Sequence, residues 1–68
     1  MKLHDVVATL EAIPVAHLAK GQVGTIVDHL SDDVVLVEFA DLGGVTYALE
    51  PIPLSKLIEL HHTPAMAA

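Results

Sequence analysis

The chain has 68 residues, too few for two ordinary domains and close to the lower size at which one hydrophobic core stabilises a fold. Three lysines stand against nine carboxylates, and the formal net charge of −6 argues against a surface that neutralises nucleic-acid phosphates. Because the chain has no cysteine, disulfides and thiolate metal sites are excluded.

The N-terminal ten residues fit a helix by the spacing of their apolar side chains and a strand by their β-branched content. We predict a strand, because Pro14 would end a helix after about three turns. Residues 11–20 then form a connecting loop. Its apolar residues Ile13, Val15 and Leu18 are expected to fold back over the core as an arm.

Two strands joined by a polar turn are predicted for residues 23–30 and 34–39. Both segments are rich in β-branched residues, and the Ser-Asp-Asp cluster between them favours a turn because its side chains bond to nearby backbone. Side chains alternate between the two faces of a strand. In the second strand we therefore expect Val35, Val37 and Phe39 to point into an aliphatic core.

Gly21 and Gly24 lie at the start of this hairpin. Glycines in a strand predict a bend or a bulge, and a small barrel requires strong curvature. A phosphate cradle is the alternative interpretation, since the amides of a glycine-rich turn attract anions. The Lys-Ser or Lys-Thr ending and the following helix of a P-loop are missing, so we expect a structural role.

A Gly-Gly turn follows, and residues 45–50 predict a further strand. Two prolines then remove backbone donors, so residues 51–53 are not expected to form a regular strand. We predict one 3-10 turn over residues 54–57. A short closing strand over residues 58–60 is expected to pair with the first strand.

These elements predict an all-β fold, namely a small SH3-like barrel of about five antiparallel strands with one short 3-10 turn. The barrel domain spans residues 1–60. Residues 61–68, HHTPAMAA, are expected to form a flexible C-terminal tail.

Four segments, DVVATLE, KGQVGTIVDHL, VLVEFADLGGVTYAL and PLSKLIEL, resemble a family of short bacterial proteins known as domain of unknown function DUF4926. The resemblance covers residues 2–60, implies the barrel and supplies no catalytic residues. Some members of such families are encoded beside toxin-like proteins, which implies an antitoxin or immunity role. Residues 21–27 are also similar to the KOW motif of ribosomal and transcription-elongation domains, and to small barrels of enzyme accessory subunits.

Two groups of side chains have residue types that bind metal ions. His4, His61 and His62 form the first, but adjacent histidines on one strand point to opposite faces. The second lies around one turn and consists of Asp28, His29, Asp32 and Asp33. It lacks the spacing of a calcium loop. We expect neither a metal site nor a cofactor.

No nucleophile motif or acid-base pair is visible, so we do not expect an enzyme. A groove for proline-rich peptides needs aromatic residues, and the chain has one Phe and one Tyr. We predict a protein-interaction module that binds a basic protein partner through an exposed strand edge or an acid-rimmed surface. Its predicted contact residues are Asp41, Leu42, Tyr47 and Glu50. The alternatives are a KOW-like RNA- or ribosome-associated domain, which the charge opposes, and a small accessory subunit of an enzyme.

Self-association is a further option, because Val34, Leu36 and Leu42 would lie outside a small barrel. The start MKLHDVV lacks the apolar run and cleavage site of a signal peptide. No apolar segment approaches the roughly 20 residues of a membrane span. We therefore expect a cytoplasmic protein with no membrane association.

Overall fold

A computed structural model describes residues 1–41 and 43–60 and shows one five-stranded antiparallel sheet with the strand order β4-β3-β2-β1-β5. The strands are β1 (Val6–Thr9), β2 (Val23–His29), β3 (Val34–Ala40), β4 (Thr46–Pro53) and β5 (Leu57–Glu59). Two single-turn 3-10 helices span Pro14–Ala16 and Leu54–Lys56. Within the described ranges, no helix is both long and apolar enough to cross a membrane.

The all-β prediction is confirmed, and the closing strand β5 pairs with β1 as expected. β4 and β5 lie at the two edges of the sheet, and no pairing joins them in the described part of the chain. Closure into an SH3-like barrel therefore stays a prediction. The tail predicted for residues 61–68 lies outside the described residues.

The prediction that residues 51–53 are not part of a regular strand is wrong. β4 runs through both prolines, with Pro51 opposite Leu36 and Pro53 opposite Val34 on β3. Because β4 is an edge strand, a proline whose nitrogen faces the open side removes no bond to β3. Both prolines take that orientation. The N–H of Leu54 donates to the carbonyl of Asp33, so Leu54 faces β3, and alternation turns the nitrogens of Pro53 and Pro51 to the open side.

The described part of the chain contains two 3-10 turns where one was predicted. The turn before the last strand is shorter than expected, because it ends at Lys56 and Leu57 already belongs to β5. The additional turn, Pro14–Ala16, lies in the long loop between β1 and β2. Pro14 occupies its first position, where a fixed φ and a missing N–H are tolerated.

The loop between β1 and β2 forms the expected arm in part. Leu18 is buried in the core and Ile13 packs against it, and the two residues also form an isolated β-bridge. Val15 differs from the prediction, because its side chain is 88% exposed. It lies within the 3-10 turn, which points it away from the core.

The core is aliphatic apart from one phenyl ring. Val35, Val37 and Phe39 are buried, as the alternation along β3 predicted. The other members of the core cluster come from every remaining strand and the arm: Val7, Leu18, Ile26, Ile52 and Leu57. Each strand therefore contributes one face to a single interior.

The bulge in β2 is present but does not lie at the glycines. The register with β3 shifts at Val27, between the pairs formed by its two neighbours. Gly24 instead permits a close approach, because a Cβ atom there would lie 2.7 Å from Val37 Cγ1 and 2.8 Å from Phe39 Cε1. Gly21 has φ +79° and lies in the turn that leads into β2.

Candidate functional site

The turn between β3 and β4 is held by Asp41. Its Oδ1 accepts hydrogen bonds from the backbone N–H groups of Gly43, at 2.9 Å, and Val45, at 3.0 Å. Its backbone carbonyl accepts a further bond from Gly44, whose φ of +81° favours glycine. Asp41, predicted as a partner contact, thus has a structural role while its side chain stays at the surface.

The free side of β4 over residues 46–50 is here called the open edge. β4 is the outermost strand on its side of the sheet, and no described residue pairs with it there. Three apolar or aromatic side chains on or beside it are about half exposed or more: Val45 (63%), Tyr47 (48%) and Leu49 (50%). Side chains of this kind at the surface commonly mark a contact site.

The prolines show which backbone groups face the open edge. In an antiparallel pair, hydrogen-bonded and non-hydrogen-bonded positions alternate along the strand. Pro51 has no N–H, so it fits the non-hydrogen-bonded position opposite Leu36. Leu49 lies two residues earlier in the same unbroken register, opposite Glu38. The N–H and C=O of Leu49 therefore point away from β3.

A second bulge modifies the open edge at Tyr47. Thr46 and Ala48 pair with consecutive residues of β3, so Tyr47 is the extra residue of β4. Its phenol oxygen accepts a hydrogen bond of 2.6 Å from Nε2 of Gln22. Tyr47 is thereby anchored to the start of β2, and Leu49 is left as the freer of the two side chains.

The surroundings of the open edge are acidic. Residues 34–53 contain Glu38, Asp41 and Glu50 and no Lys, Arg or His. Glu38 Oε2 accepts a 2.9 Å hydrogen bond from the Thr46 hydroxyl, which is a neutral donor and does not cancel its charge. Glu38 lies opposite Leu49, and Glu50 follows Leu49 in β4, so the two glutamates lie on opposite faces of the sheet.

The three predicted contact residues that the structure describes lie at different places. Leu42 lies outside the described residues, and Asp41 belongs to the turn. Glu50 is partly buried on the face that also carries the buried Ile52, whereas Tyr47 reaches Gln22. Their role as partner contacts stays a prediction.

Leu49 lies at the middle of the open edge and is not among the predicted contact residues. The signal was present in TYALEPIP, where a buried Ile52 places Leu49 on the opposite, outer face by alternation. The break predicted at Pro51 concealed it, because a strand ending at residue 50 gives no register for its side chains.

Of the residues predicted to take part in self-association, Val34 and Leu36 lie on β3 and are partly buried, and Leu42 lies outside the described residues. More exposed aliphatic side chains lie on β1 and β5, including Val6 and Ile58. Self-association stays a prediction.

Local side-chain hydrogen bonds stabilise the end of β2 and the turn to β3. Asp28 Oδ1 accepts from the N–H of His29 at 2.8 Å, and Ser31 Oγ accepts from two backbone N–H groups. An open cleft of about 440 Å³ beside the turn is lined in part by His29, Asp32 and Leu54. Among residues 1–41 and 43–60, no three His, Asp or Glu side chains are grouped closely enough to hold a metal ion. His61 and His62 lie outside the described residues.

Asp5 stabilises the entry into β1. Its carboxylate accepts a 2.8 Å hydrogen bond from the backbone N–H of Lys2, and this bond is the main reason why the pKa of Asp5 lies below its ordinary value. The positive charge of Lys2 lowers the pKa further, and partial desolvation opposes both effects. Asp5 is a structural carboxylate and lies far along the sheet order from β4.

The family described as "Domain of unknown function (DUF4926)" matches residues 3–59, a span that contains all five strands. The chain belongs to the DUF4926 family. No curated protein and no solved structure matches it significantly. The open edge and both prolines of β4 lie inside the DUF4926 region.

Proposed function

We propose that this DUF4926 protein is a cytoplasmic, non-enzymatic protein-interaction module that binds a basic protein partner at the open edge of β4. The observation that carries the proposal is the combination of half-exposed Tyr47 and Leu49 with carboxylates on both faces of the sheet. An apolar centre with a charged rim is the usual composition of a protein interface. The acidic rim selects for a partner of opposite charge.

An antitoxin or immunity role is the more specific form of this proposal. Such proteins act by binding one protein partner, and an acidic chain with net charge −6 suits a basic one. The support for this role is the resemblance of the chain to families with members encoded beside toxin-like proteins. A stoichiometric partner is its first requirement.

The test is an affinity pull-down with the tagged full-length chain at moderate salt, read by mass spectrometry. Glu50→Lys is the test variant, because Glu50 flanks the open edge and accepts no hydrogen bond that holds a turn. Asp41→Lys is unsuitable, since it would remove the acceptor of two turn hydrogen bonds. Asp32→Lys is the matched control, an equal change of charge at an exposed carboxylate in the turn between β2 and β3.

We expect one stoichiometric protein to be retained by the wild type and by Asp32→Lys and to be lost with Glu50→Lys. Equal retention by Glu50→Lys would contradict the proposal, as would the absence of any retained protein. Recovery of ribosomal proteins together with RNA would also contradict it and would favour the KOW-like alternative.

A further inference from the structure

We propose that the partner is bound by strand addition, in which an extended segment of alternating apolar and basic residues pairs with the open edge of β4 as a sixth strand. This inference rests on the proposed function and specifies its binding mode. Exposed strand edges recognise extended peptides through main-chain hydrogen bonds, and pockets for alternate side chains give specificity.

The backbone of the open edge supplies the first argument. The N–H and C=O of Leu49 point away from β3, because Leu49 shares the register position of Pro51. An added strand would therefore find one donor and one acceptor at the centre of the open edge. On the N-terminal side of Leu49, the bulge at Tyr47 interrupts the regular alternation of inward and outward backbone groups along β4.

The prolines set the length of the added strand. Pro51 and Pro53 occupy the positions whose nitrogens face the open side, so β4 offers no outward N–H beyond Leu49 toward its C-terminal end. Natural proteins use proline in this way to stop strands from pairing along an edge. The pairing region is thus confined to a short segment centred on Leu49.

The side chains define the chemistry of the partner. On one face of β4 the added strand would lie beside half-exposed Leu49, and on the other beside Glu50. Residues of a strand alternate between these faces, so an apolar residue opposite Leu49 places its neighbours next to Glu50. Residues 34–53 contain no Lys, Arg or His. A Lys or Arg at those neighbouring positions of the added strand would therefore form an ion pair with Glu50 without competition from this segment.

The test uses isotope-labelled full-length protein and a synthetic probe, the hexapeptide Lys-Val-Lys-Val-Lys-Val. We expect the peptide to shift the amide signals around Leu49 and to slow hydrogen exchange of the Leu49 N–H, which pairs with no strand among residues 1–41 and 43–60. A peptide of the same sequence with every amide N-methylated is the control. It keeps the charges and side chains but cannot donate, so we expect its binding to be about tenfold weaker or absent.

The variant Leu49→Pro tests whether peptide binding needs the outward N–H of Leu49. Proline at residue 49 removes the outward N–H and leaves the bonds to β3 in place, as Pro51 and Pro53 already do. We expect this variant to fold, by circular dichroism and urea denaturation, and to bind the hexapeptide about tenfold more weakly than the wild type. Leu49→Val, which keeps both the N–H and an apolar side chain and suits a strand, is the matched control and should bind within about twofold.

Two results would overturn strand addition: equal binding of the hexapeptide and its N-methylated form, or no shift around Leu49 at all. The peptide comparison uses the wild-type chain, so it decides the question even if Leu49→Pro fails to fold. If a cellular partner requires Glu50 but is retained equally by folded Leu49→Pro, the proposed function stands and strand addition is wrong. If no cellular partner requires Glu50 while the hexapeptide discriminates Leu49→Pro from Leu49→Val, the binding mode stands and the proposed function is wrong.

Discussion

At Gly24, β2 and β3 approach too closely for any side chain. A Cβ atom at this position would lie 2.7 Å from Val37 Cγ1 and 2.9 Å from the carbonyl oxygen of Glu38. We expect Gly24→Ala to lower the free energy of unfolding by about 1–3 kcal/mol, because backbone and core side chains must move apart. Urea denaturation measures the change.

Gly21→Ala is the control for this prediction. A Cβ atom at Gly21 would meet nothing within 4 Å, so its cost is limited to the positive φ, about 1–2 kcal/mol. If Gly24→Ala loses less than about 0.5 kcal/mol, the close approach of the two strands is wrong.

Thr9 closes the long loop between β1 and β2. Its side chain is buried, and its Oγ1 donates to the carbonyl of Ala19 at 2.8 Å and accepts from the N–H of Gln22 at 3.0 Å. We expect Thr9→Val, which has almost the same shape, to lower the free energy of unfolding by about 1–3 kcal/mol because both loop groups lose their partner. Thr9→Ser keeps the hydroxyl and should lose less. A Thr9→Val variant as stable as the wild type in urea denaturation would show that the hydroxyl does not hold the loop.

Asp5 gives the fold a defined response to acid. Its pKa is lower in the folded chain than the ordinary value of 3.8, so its contribution to stability is fully present above that pH. The contribution is lost as the pH falls below 3.8 and through the lower pKa of the folded state. We expect the wild type to exceed Asp5→Asn in stability at pH 7 and the difference to shrink near pH 3.

Urea denaturation of both proteins across this range measures the difference between them. Carboxylates that do not interact with Asp5 contribute equally to both proteins, whereas Glu59, which hydrogen-bonds to Asp5, is part of the measured difference. A gap that stays constant or widens toward low pH would contradict the assignment of the lowered pKa to the folded state of Asp5.

At the level of the element, β4 combines a pairing surface with a device that limits pairing. Pro51 and Pro53 remove outward donors from its C-terminal half. We expect Pro51→Val to extend the open edge and to speed aggregation, measured by light scattering during incubation at high protein concentration. The double variant Pro51→Val with Leu49→Pro has as many edge donors as the wild type and should aggregate at the slower rate. Equal rates for the single and double variants would contradict a protective role for proline at the edge.

Local patterns predicted most of the strands. The hairpin of β2 and β3 is visible in its β-branched residues and polar turn, and alternation along β3 identifies Val35, Val37 and Phe39 as core residues. β4 was predicted too short, because proline is incompatible with a central strand but compatible with an edge strand. Whether β4 is central or at the edge is not encoded locally in residues 46–53.

For the molecule as a whole, charge is the property that most constrains its partners. Among the side chains, only Lys2, Lys20 and Lys56 carry a permanent positive charge, and the Lys56 ammonium lies 3.2 Å from a carboxylate oxygen of Glu11. We expect no mobility shift of a labelled single-stranded RNA at about 10 μM protein even at low salt, since few phosphates can be neutralised. A shift that weakens as salt is added would contradict the proposed function and favour the KOW-like alternative.

The candidate site was predicted in kind rather than in detail. An acidic strand edge near Tyr47 and Glu50 follows from composition and from the position of the Gly-Gly turn. The bulge at Tyr47 and the partly buried side chain of Glu50 could not be read from composition. Asp41 is predicted as a partner contact because of its charge. In the structure its carboxylate accepts two backbone hydrogen bonds within the turn between β3 and β4. Leu49 emerges only once the register with β3 is known.

By itself, the sequence determined the all-β class, the core face of β3 and the acidic balance, because alternation, turn chemistry and charge are properties of neighbouring residues or of the total composition. Only the tertiary structure decided that β4 is an edge strand, that Gly24 lies against Val37 and that Leu49 faces an open side. These features depend on which strands lie next to each other. The order β4-β3-β2-β1-β5 is set by packing between segments distant in the chain, and no local pattern specifies it.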